Sequence, residues 1–428
     1  MPKQLIVLCD GTGDSPEANI VTNVQILRNM LGAELPGERK KYFNFSQGWE
    51  VDQYELPNQT RLVYYDRGLG SPKLDSQGNL MQWSWKPQSF FHDAQYIYDN
   101  FKETNESITA NGIIDNVAQA YLFLVKNYEP GDQIFLFGFS RGSYTQRILI
   151  TLIRYIGLID KKYFITDELL QLAVEMGFRL YDMNQHPDQN PQVKQFRRVC
   201  YPQADLIHFV GLWDTVRGMV VEKVHQDAKL SNVVKIARHA VSIDECRAIY
   251  KPELWIADPT TDSLQMWFAG VHSDIGGGYD KTGLSNIALH WLIDEANKFA
   301  LRVDPKLLLA KDLTPDSLAM QHDSYNSPVT GNIAITWADL SVAYRRPVLQ
   351  TTEHESLHDS VLQRYGKTVK CGQDNIIYTP AILSHELTAY NNFKSIDSFD
   401  EILAKLIIPN ADALADVGEV TSLVPKPS

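Results

Sequence analysis

Hydrophobic stretches of strand length and of helix length alternate along the first 300 residues of the chain. The predicted strands are runs of mostly apolar residues at 5–9, 62–65, 133–137, 206–212 and 264–269. The predicted helices repeat apolar side chains every three or four positions, at 20–31, 113–128, 148–156 and 284–301. Consecutive apolar residues are typical of strands buried on both faces. The pattern therefore predicts an α/β fold, a mostly parallel sheet with helices on both faces.

Two stretches interrupt this alternation, and a third follows it. An aromatic-rich insertion lies near residues 72–110, and an insertion rich in Gln, Asn, Pro and charged residues lies at 160–203. From about residue 302 the periodicity weakens, and Pro, Asp and Asn become more frequent. We therefore expect a core at residues 1–301 that carries both insertions. We expect residues 302–428 to form an irregular C-terminal region that flanks the core or covers it as a lid, either as a separate unit or as part of the same domain.

Composition and net charge exclude some classes of binding partner for this chain. Of its 428 residues, 44% are hydrophobic and 21% are charged, so the chain can bury a sizeable core. Its 40 Lys and Arg against 52 Asp and Glu give a net charge of −12. Because this charge would repel a phosphate backbone, we expect no nucleic-acid partner. The four cysteines are widely spaced, which is typical of free thiols in a reducing compartment.

The sequence does not predict a membrane span or a cleaved signal. No window approaches the ~18 uncharged apolar residues that a transmembrane helix needs. The apolar run at residues 5–9 is too short for the hydrophobic part of a secretory signal. We therefore expect a protein that is cytoplasmic as synthesised, and whose export, if it occurs, uses a machine that needs no cleaved signal.

A serine between two glycines is the first chemical signal in the sequence. Gly138, Ser140 and Gly142 form a Gly-x-Ser-x-Gly pattern between a predicted strand and a predicted helix. A nucleophilic serine on such a turn needs small neighbours two positions away, so that its hydroxyl stands clear of the backbone. The N-terminus of the helix then stabilises the anion formed on attack. The pattern predicts that Ser140 is the nucleophile of an α/β-hydrolase; a turn that uses small residues only for packing is the alternative.

A serine nucleophile needs a base to take its proton and an acid to orient that base. In α/β-hydrolases the acid and then the histidine follow the serine, in loops after later strands. Asp214 follows the predicted strand at 206–212, and His272 follows the strand at 264–269 in a glycine-rich loop. We therefore expect Asp214 as the acid and His272 as the base. Asp274 is the alternative acid and His358 the alternative base, and purely structural roles also stay open.

Backbone N–H groups in two places are expected to bind the oxyanion. In hydrolases one such group belongs to the residue after the nucleophile, here Arg141, and another to the loop after an early core strand. Gly11 or Thr12 fills the second position, and Asp10 begins the same loop as an auxiliary candidate. An ordinary Asp/Gly turn is the competing interpretation of this loop.

Five segments, taken in order, resemble the α/β-hydrolase domain of the first family of type VI secretion lipase effectors, which was formerly a domain of unknown function. The segments are residues 8–12, 65–70, 137–142, 212–216 and 270–279, and the resemblance spans about residues 1–300. It implies a Ser-Asp-His hydrolase with phospholipase A activity, in which Ser140, Asp214 and His272 hold those roles. It also implies secretion machinery and an immunity protein as partners, and contact with membrane lipid without a transmembrane segment.

The resulting hypothesis is a serine esterase or lipase that cleaves the carboxylic ester of a small molecule or lipid through an acyl-enzyme, without a cofactor or metal. One alternative is a metal-dependent phosphoesterase, because hard cations prefer clustered carboxylates. Its ligands would be Asp10, Asp14, His272 and Asp274. Another alternative is a catalytically inactive binding protein that keeps the hydrolase fold.

Overall fold

In the computed structural model of the chain, nine strands from the described residues form one mixed sheet. The structure describes residues 2–11, 21–32, 40–44, 49–56, 59–67, 107–181, 186–217, 229–247, 250–324 and 354–380. The strands of the sheet are β1 Lys3–Cys9, β2 Lys40–Asn44, β3 Trp49–Leu56, β4 Gln59–Asp66, β5 Gln133–Phe139, β6 Ile207–Trp213, β7 Ile236–Ser242, β8 Asp262–Phe268 and β9 Glu355–Leu357.

The strand order is β2-β3-β4-β1-β5-β6-β7-β8-β9. From β4 to β9 all neighbours pair in parallel, whereas β3 pairs antiparallel with both β2 and β4. Parallel strands β1, β5, β6 and β8 end at one edge of the sheet, and the loops that follow them carry the predicted chemistry. The predicted α/β fold with a mostly parallel sheet is confirmed.

Helices cover both faces of the sheet. They are α1 Asn23–Gly32, α2 Ser107–Asn127, α3 Arg141–Ile156, α4 Asp167–Leu180, α5 Pro191–Phe196, α6 His272–Gly276, α7 Gly283–Lys298 and α8 Asp359–Arg364. Alternate residues of β1 divide the core into two layers. Leu5 and Val7 pack in the layer that contains α2 and α3, while Ile6 and Leu8 pack in the layer that contains α1 and α7. This two-sided burial explains the uninterrupted apolar runs of the parallel strands.

Strand β7 was not predicted, because polar residues interrupt its apolar pattern. Arg238 is buried and donates to Glu295 of α7 at 2.6 Å, and the neighbouring His239 is fully buried. A buried charged group is stable only when it is paired, so this strand depends on partners far along the chain. Its position beside β6 matters for the site described below.

The structure describes the two predicted insertions and the C-terminal region to different extents. The stretch at 160–203 contains α4 and α5, whereas nearly all of the stretch near 72–110 lies outside the described residues. Beyond residue 301, β9 extends the main sheet beside β8, and α8 leads to a hairpin of β10 Thr368–Cys371 and β11 Asp374–Ile377. In the part of the chain that the structure describes, none of the helices is both long and apolar enough to cross a membrane.

Candidate active site

Ser140 occupies a strained turn between β5 and α3. Its φ of 58° and ψ of −125° lie in a region that residues other than glycine rarely adopt. A Cβ atom on Gly142 would collide with the backbone oxygens of Cys9 and Asp10, and one on Gly138 would lie 2.7 Å from the backbone nitrogen of Ser143. Gly142 therefore allows the start of α3 to pack directly against the end of β1, and Gly138 allows the tight turn between β5 and α3. The Gly-x-Ser-x-Gly pattern predicted small residues here so that the hydroxyl stands clear of the backbone, and the structure shows that they are also required for close packing around the turn.

The structure brings the three predicted catalytic side chains together. His272 Nε2 lies 2.8 Å from Ser140 Oγ, and His272 Nδ1 lies 2.6 Å from Asp214 Oδ2. All three residues are buried. Because an ionised carboxylate only accepts hydrogen bonds, Nδ1 carries the proton, which leaves Nε2 of the neutral ring to accept from the serine hydroxyl. This arrangement allows the imidazole to take the serine proton as a general base.

The carboxylate of Asp214 is oriented by the backbone of β7. The Asp214 N–H donates to the carbonyl of Ala240 at 2.7 Å, and Oδ1 accepts from the Ser242 N–H at 2.9 Å. One carboxylate oxygen is thereby fixed on the strand, and the other faces His272. The φ of Asp214 is 37°, so the chain turns sharply as it leaves β6. The acid thus depends on a strand that the sequence pattern did not predict.

Two aromatic rings pack against the imidazole of His272. The ring centroid of Phe139 lies 4.7 Å from that of His272, and the ring of Tyr250 meets it edge-on at 4.8 Å. Gly276 has no side chain, which leaves room for the Phe139 ring. These contacts restrict rotation of the imidazole and shield it from water.

Sequence reasoning missed several residues around the site. His239 Nε2 accepts a hydrogen bond from the Thr215 N–H at 3.1 Å, directly after the acid. Arg247 pairs with Glu245 at 2.8 Å and lies over the Tyr250 ring, 3.7 Å from its centroid. Desolvation opposes the charge of Arg247, but its hydrogen bonds to Glu245 raise its pKa above the ordinary value. All of these residues lie between the predicted strands at 206–212 and 264–269, and none of them except Thr215 lies in a segment that indicated the site.

The predicted oxyanion donors have different surroundings. Arg141 is the first residue of α3, directly after Ser140. The Gly11 N–H donates to Asp10 Oδ1 at 2.8 Å. The other oxygen of Asp10 accepts from the hydroxyls of Thr22 and Tyr65, at 2.9 and 2.8 Å. Asp10 therefore braces the loop after β1. Thr12 lies outside the described residues, and the oxyanion roles of all three donors stay predictions.

The alternative acid and the alternative base lie away from the Ser140 hydroxyl. Asp274 accepts from His322 Nδ1 at 2.6 Å, so Asp214 is the carboxylate that meets the base. His358 precedes α8, where its Nδ1 accepts from the Ser360 N–H at 3.2 Å, and its ring stacks on Phe268 at 4.5 Å. Burial lowers the pKa of His358. These contacts give His358 a role in capping a helix.

The side chains that the metal hypothesis requires as ligands form hydrogen bonds with other protein groups. Both ring nitrogens of His272 are used within the triad, and the carboxylates of Asp10 and Asp274 each accept several hydrogen bonds. Asp14, the fourth predicted ligand, lies outside the described residues. Among the residues that are described, no three His, Cys, Asp or Glu side chains form a group able to hold a metal ion.

Comparison with known proteins gives one family and several distant relatives. A family model described as "T6SS, Phospholipase effector Tle1-like, catalytic domain" matches residues 3–295. An uncharacterized protein of Saccharomyces cerevisiae is 26% identical over 259 residues, which cover 58% of this chain and 32% of the yeast protein. The chain therefore spans about a third of the curated relative that it matches.

Two solved structures are also similar to the chain. The crystal structure of an uncharacterized protein from Pseudomonas aeruginosa matches at 15% identity and a TM-score of 0.34, over 74% of this chain and 49% of that one. The Tle1 effector bound to the VgrG spike of the type 6 secretion system matches at 17% identity and a TM-score of 0.25, over 66% and 52%. The chain spans about half the length of each.

Proposed function

Because the chain belongs to the Tle1-like catalytic-domain family of type VI secretion phospholipase effectors, we propose that it is a serine hydrolase that cleaves the carboxylic ester of a lipid. The observation that carries this proposal is the hydrogen-bonded series from Ser140 through His272 to Asp214, at 2.8 and 2.6 Å. These three residues come from the ends of three parallel strands, which is where an α/β-hydrolase assembles its catalytic groups.

In the proposed acylation, Ser140 Oγ attacks the ester carbonyl carbon while His272 Nε2 takes the hydroxyl proton. Asp214 stays ionised and stabilises the imidazolium that results. The tetrahedral intermediate then collapses, the bond between the carbonyl carbon and the alcohol oxygen breaks, and His272 returns the proton to that oxygen. The acyl group remains on Ser140. In deacylation, His272 removes a proton from water, the hydroxide attacks the acyl carbon, and the Ser140 oxygen leaves with that proton.

The negative charge that develops on the carbonyl oxygen needs donors that are already in place. We assign one of them to the Arg141 N–H, supported by its position at the N-terminus of the 16-residue helix α3, whose dipole favours an anion. The second donor belongs to the loop after β1, which Gly142 brings into direct contact with the start of α3. That second donor is the N–H of Gly11 or of Thr12; the Gly11 N–H donates to Asp10 Oδ1 at 2.8 Å, and Thr12 lies outside the described residues.

Family membership supports the finer parts of the proposal. A phospholipid acyl ester is the proposed substrate class, and a type VI secretion apparatus is the proposed route of export, without a cleaved signal. Both follow from the family and not from the geometry around Ser140.

The proposal is tested by a hydrolysis screen of phospholipids, glycerides and short esters with wild-type protein and the Ser140→Ala variant. Ser285→Ala is the matched control, because Ser285 is another buried serine, on α7, and its hydroxyl donates to the Thr282 carbonyl. We expect the control to retain hydrolysis and Ser140→Ala to lose it. Equal hydrolysis by wild type and Ser140→Ala would refute the nucleophile. Activity that a chelator removes, and that survives Ser140→Ala, would favour the phosphoesterase alternative.

A further inference from the structure

The three consecutive backbone N–H groups that lead into His272 are each bound by a different carboxylate. The bonds run from Gly270 to Asp244 Oδ2 at 2.7 Å, from Val271 to Asp274 Oδ2 at 3.1 Å, and from His272 to Glu245 Oε2 at 3.3 Å. Each bond satisfies a buried backbone N–H group and a carboxyl oxygen at the same time. The backbone that carries the proposed base is therefore held at three successive points.

Each of these carboxylates is in turn bound by a residue from beyond position 301. The donors are the Tyr378 hydroxyl to Asp244 Oδ2 at 2.8 Å, His322 Nδ1 to Asp274 Oδ1 at 2.6 Å, and the Ser324 hydroxyl to Glu245 Oε2 at 3.1 Å. All three donors lie outside residues 3–295, the stretch that matches the family. The C-terminal region, whose sequence predicted no regular structure, is thus connected to the catalytic loop through three carboxylates.

Most of the groups that form these hydrogen bonds are buried. Tyr378 and Ser324 are 2% and 3% exposed, and Asp274 and Glu245 are each 1% exposed. A carboxylate removed from water is costly unless its oxygens are bonded, and Glu245 is bonded both by Ser324 and by Arg247. The bond from Val271 to Asp274 also forms the capping box at the start of α6, so this carboxylate fixes the helix that begins at His272.

The segment that supplies Tyr378 is anchored to the core. Strand β9 pairs with β8, and the backbone of Gln321 donates to the carbonyl of Lys370 in the terminal hairpin at 2.9 Å. Arg364 is fully buried, donates to the carbonyls of Ser317 and Ala319 at 2.9 and 2.7 Å, and lies over the Tyr378 ring. These contacts give the region the rigidity that a support requires.

We propose that residues 302–324 and 354–380 act as a positioning module for the catalytic histidine. Tyr378, His322 and Ser324 fix the backbone of residues 270–272 through the three carboxylates, and thereby hold the imidazole within hydrogen-bond distance of Ser140. They are positioning residues, since they act on His272 through the three carboxylates. The inference rests on the proposed function, because it assigns a role to these residues in the same reaction.

We expect the loss of one of these bonds to raise the energy of the transition state more than it weakens substrate binding. A catalytic group displaced by about 1 Å can cost about 100-fold in rate. We expect Tyr378→Phe, which removes only the hydroxyl, to lower kcat by about 10-fold and to leave KM nearly unchanged. Ser324→Ala should have a similar effect, and the double variant should lose more than either single one.

The test measures kcat and KM for a short p-nitrophenyl ester, and the rate at which a fluorophosphonate labels Ser140, in the full chain. Ile377→Ala is the matched control, because Ile377 precedes Tyr378 and is 65% exposed. Rates are expressed per folded molecule, from circular dichroism of each variant. We expect slower labelling and lower kcat in Tyr378→Phe and Ser324→Ala, and wild-type values in the control.

Two substitutions of His322 distinguish the effect of its hydrogen bond to Asp274 from the effect of the volume of its side chain. His322→Asn keeps an N–H donor near the position of Nδ1, whereas His322→Ala removes it. We expect the asparagine variant to recover part of the kcat that the alanine variant loses. If both variants showed the wild-type kcat per folded molecule, the inference would be contradicted.

Failure of this inference differs from failure of the proposed function. Should Ser140→Ala retain full hydrolysis and labelling, the hydrolase mechanism itself is refuted. Should Ser140→Ala be inactive while folded Tyr378→Phe and Ser324→Ala keep wild-type kcat and labelling rates, the mechanism stands and the positioning role is refuted. A lowered melting temperature with unchanged kcat counts as the second outcome, because it shows a purely structural contribution.

Discussion

Ser140 stands at the N-cap position of α3, yet its hydroxyl does not cap the helix and instead lies 2.8 Å from His272 Nε2. Serine at an N-cap normally accepts from the backbone N–H groups of the first turn and stabilises the helix by about 1 kcal/mol. Here the left-handed φ of Ser140 turns the side chain away from the helix and towards the imidazole. The helix therefore lacks a stabilising hydrogen bond from its N-cap side chain, and the serine hydroxyl is positioned for nucleophilic attack instead.

The coupling between Ser140 and His272 predicts that their effects are not additive. Because the base acts only by activating the serine, removing either residue should abolish the same step. We expect Ser140→Ala and His272→Ala each to lower kcat by about 10⁴-fold or more, and the double variant to be no worse than the single ones. Initial rates on an ester from the hydrolysis screen test this prediction. A double variant whose loss equals the product of the two single losses would show that the residues act independently.

Asp214→Asn is expected to impair the base without unfolding the chain. Because the Ser242 N–H donates to Oδ1, the amide oxygen would keep that position, and the amide NH₂ would face His272 Nδ1. The imidazole would then have to carry its proton on Nε2, where it cannot accept the serine proton. We expect a loss of kcat of about 10³- to 10⁴-fold with little change in melting temperature.

The control for this variant is Asp167→Asn on α4, because the side chain of Asp167 is 81% exposed and forms only a surface ion pair with Lys126. It should keep the wild-type rate. An Asp214→Asn variant that is folded and fully active would show that Asp214 does not orient the base.

Much of the fold could be predicted from the sequence, because strands buried on both faces leave an unmistakable apolar run. The run in β1 shows this, whereas β7 was missed because Arg238 and His239 interrupt its pattern. Their burial depends on Glu295 and on the Thr215 N–H, which adjacent sequence does not reveal. The resemblance to type VI lipase effectors, identified from five segments, is confirmed by the family match.

The candidate site was predictable only in part, for a similar reason. Ser140, Asp214 and His272 each follow an apolar strand, so the rule that parallel strands end at one edge was sufficient to group them. Tyr250 follows no predicted strand, and Tyr378 follows the short, exposed strand β11. Their contacts, of Tyr378 with Asp244 and of Tyr250 with His272, join residues 134 and 22 positions apart in the chain. Spacing along a single sequence cannot indicate such contacts.

Gly142→Ala tests whether the glycine after the nucleophile is required for steric reasons. A methyl group at this position would overlap the Cys9 and Asp10 backbone oxygens, so the start of α3 would have to move away from β1. We expect the free energy of unfolding, measured by urea denaturation, to fall by about 2 kcal/mol or more, with loss of hydrolysis.

A suitable comparison is Gly131→Ala, where φ is +99° but no atom lies within 4 Å of the added Cβ. This variant reports the backbone strain alone, which we expect to cost about 1 kcal/mol. Equal destabilisation by the two variants, with full activity in Gly142→Ala, would contradict the steric explanation.

The raised pKa of Asp244 predicts that the stability of the folded chain depends on pH. Desolvation raises the pKa of its carboxyl group to about 7, although the bonds from Gly270 and Tyr378 and the charge of Arg364 act in the opposite direction. An aspartate in the unfolded chain titrates near about 4, so between about pH 4 and 7 the folded state holds more protons. The contribution of Asp244 to the free energy of unfolding therefore falls as the pH rises through this window, and is constant above it.

The measurement compares wild type with Asp244→Asn by urea denaturation at several pH values between 4.5 and 7.5. The asparagine cannot ionise, so the stability of wild type relative to the variant should decrease with rising pH and then level off near pH 7. Taking the difference removes the titration of all other groups that the substitution leaves unchanged. A difference that is constant over the whole range would contradict the raised pKa.

The most direct test of the account is to identify which residue a fluorophosphonate modifies, by mass spectrometry of peptides from the intact, folded chain. We predict stoichiometric labelling on the peptide that contains Ser140, with labelling abolished in Ser140→Ala and at least 100-fold slower in His272→Ala. Labelling at another residue, or no difference in rate between wild type and His272→Ala, would contradict the claim that this imidazole activates this serine.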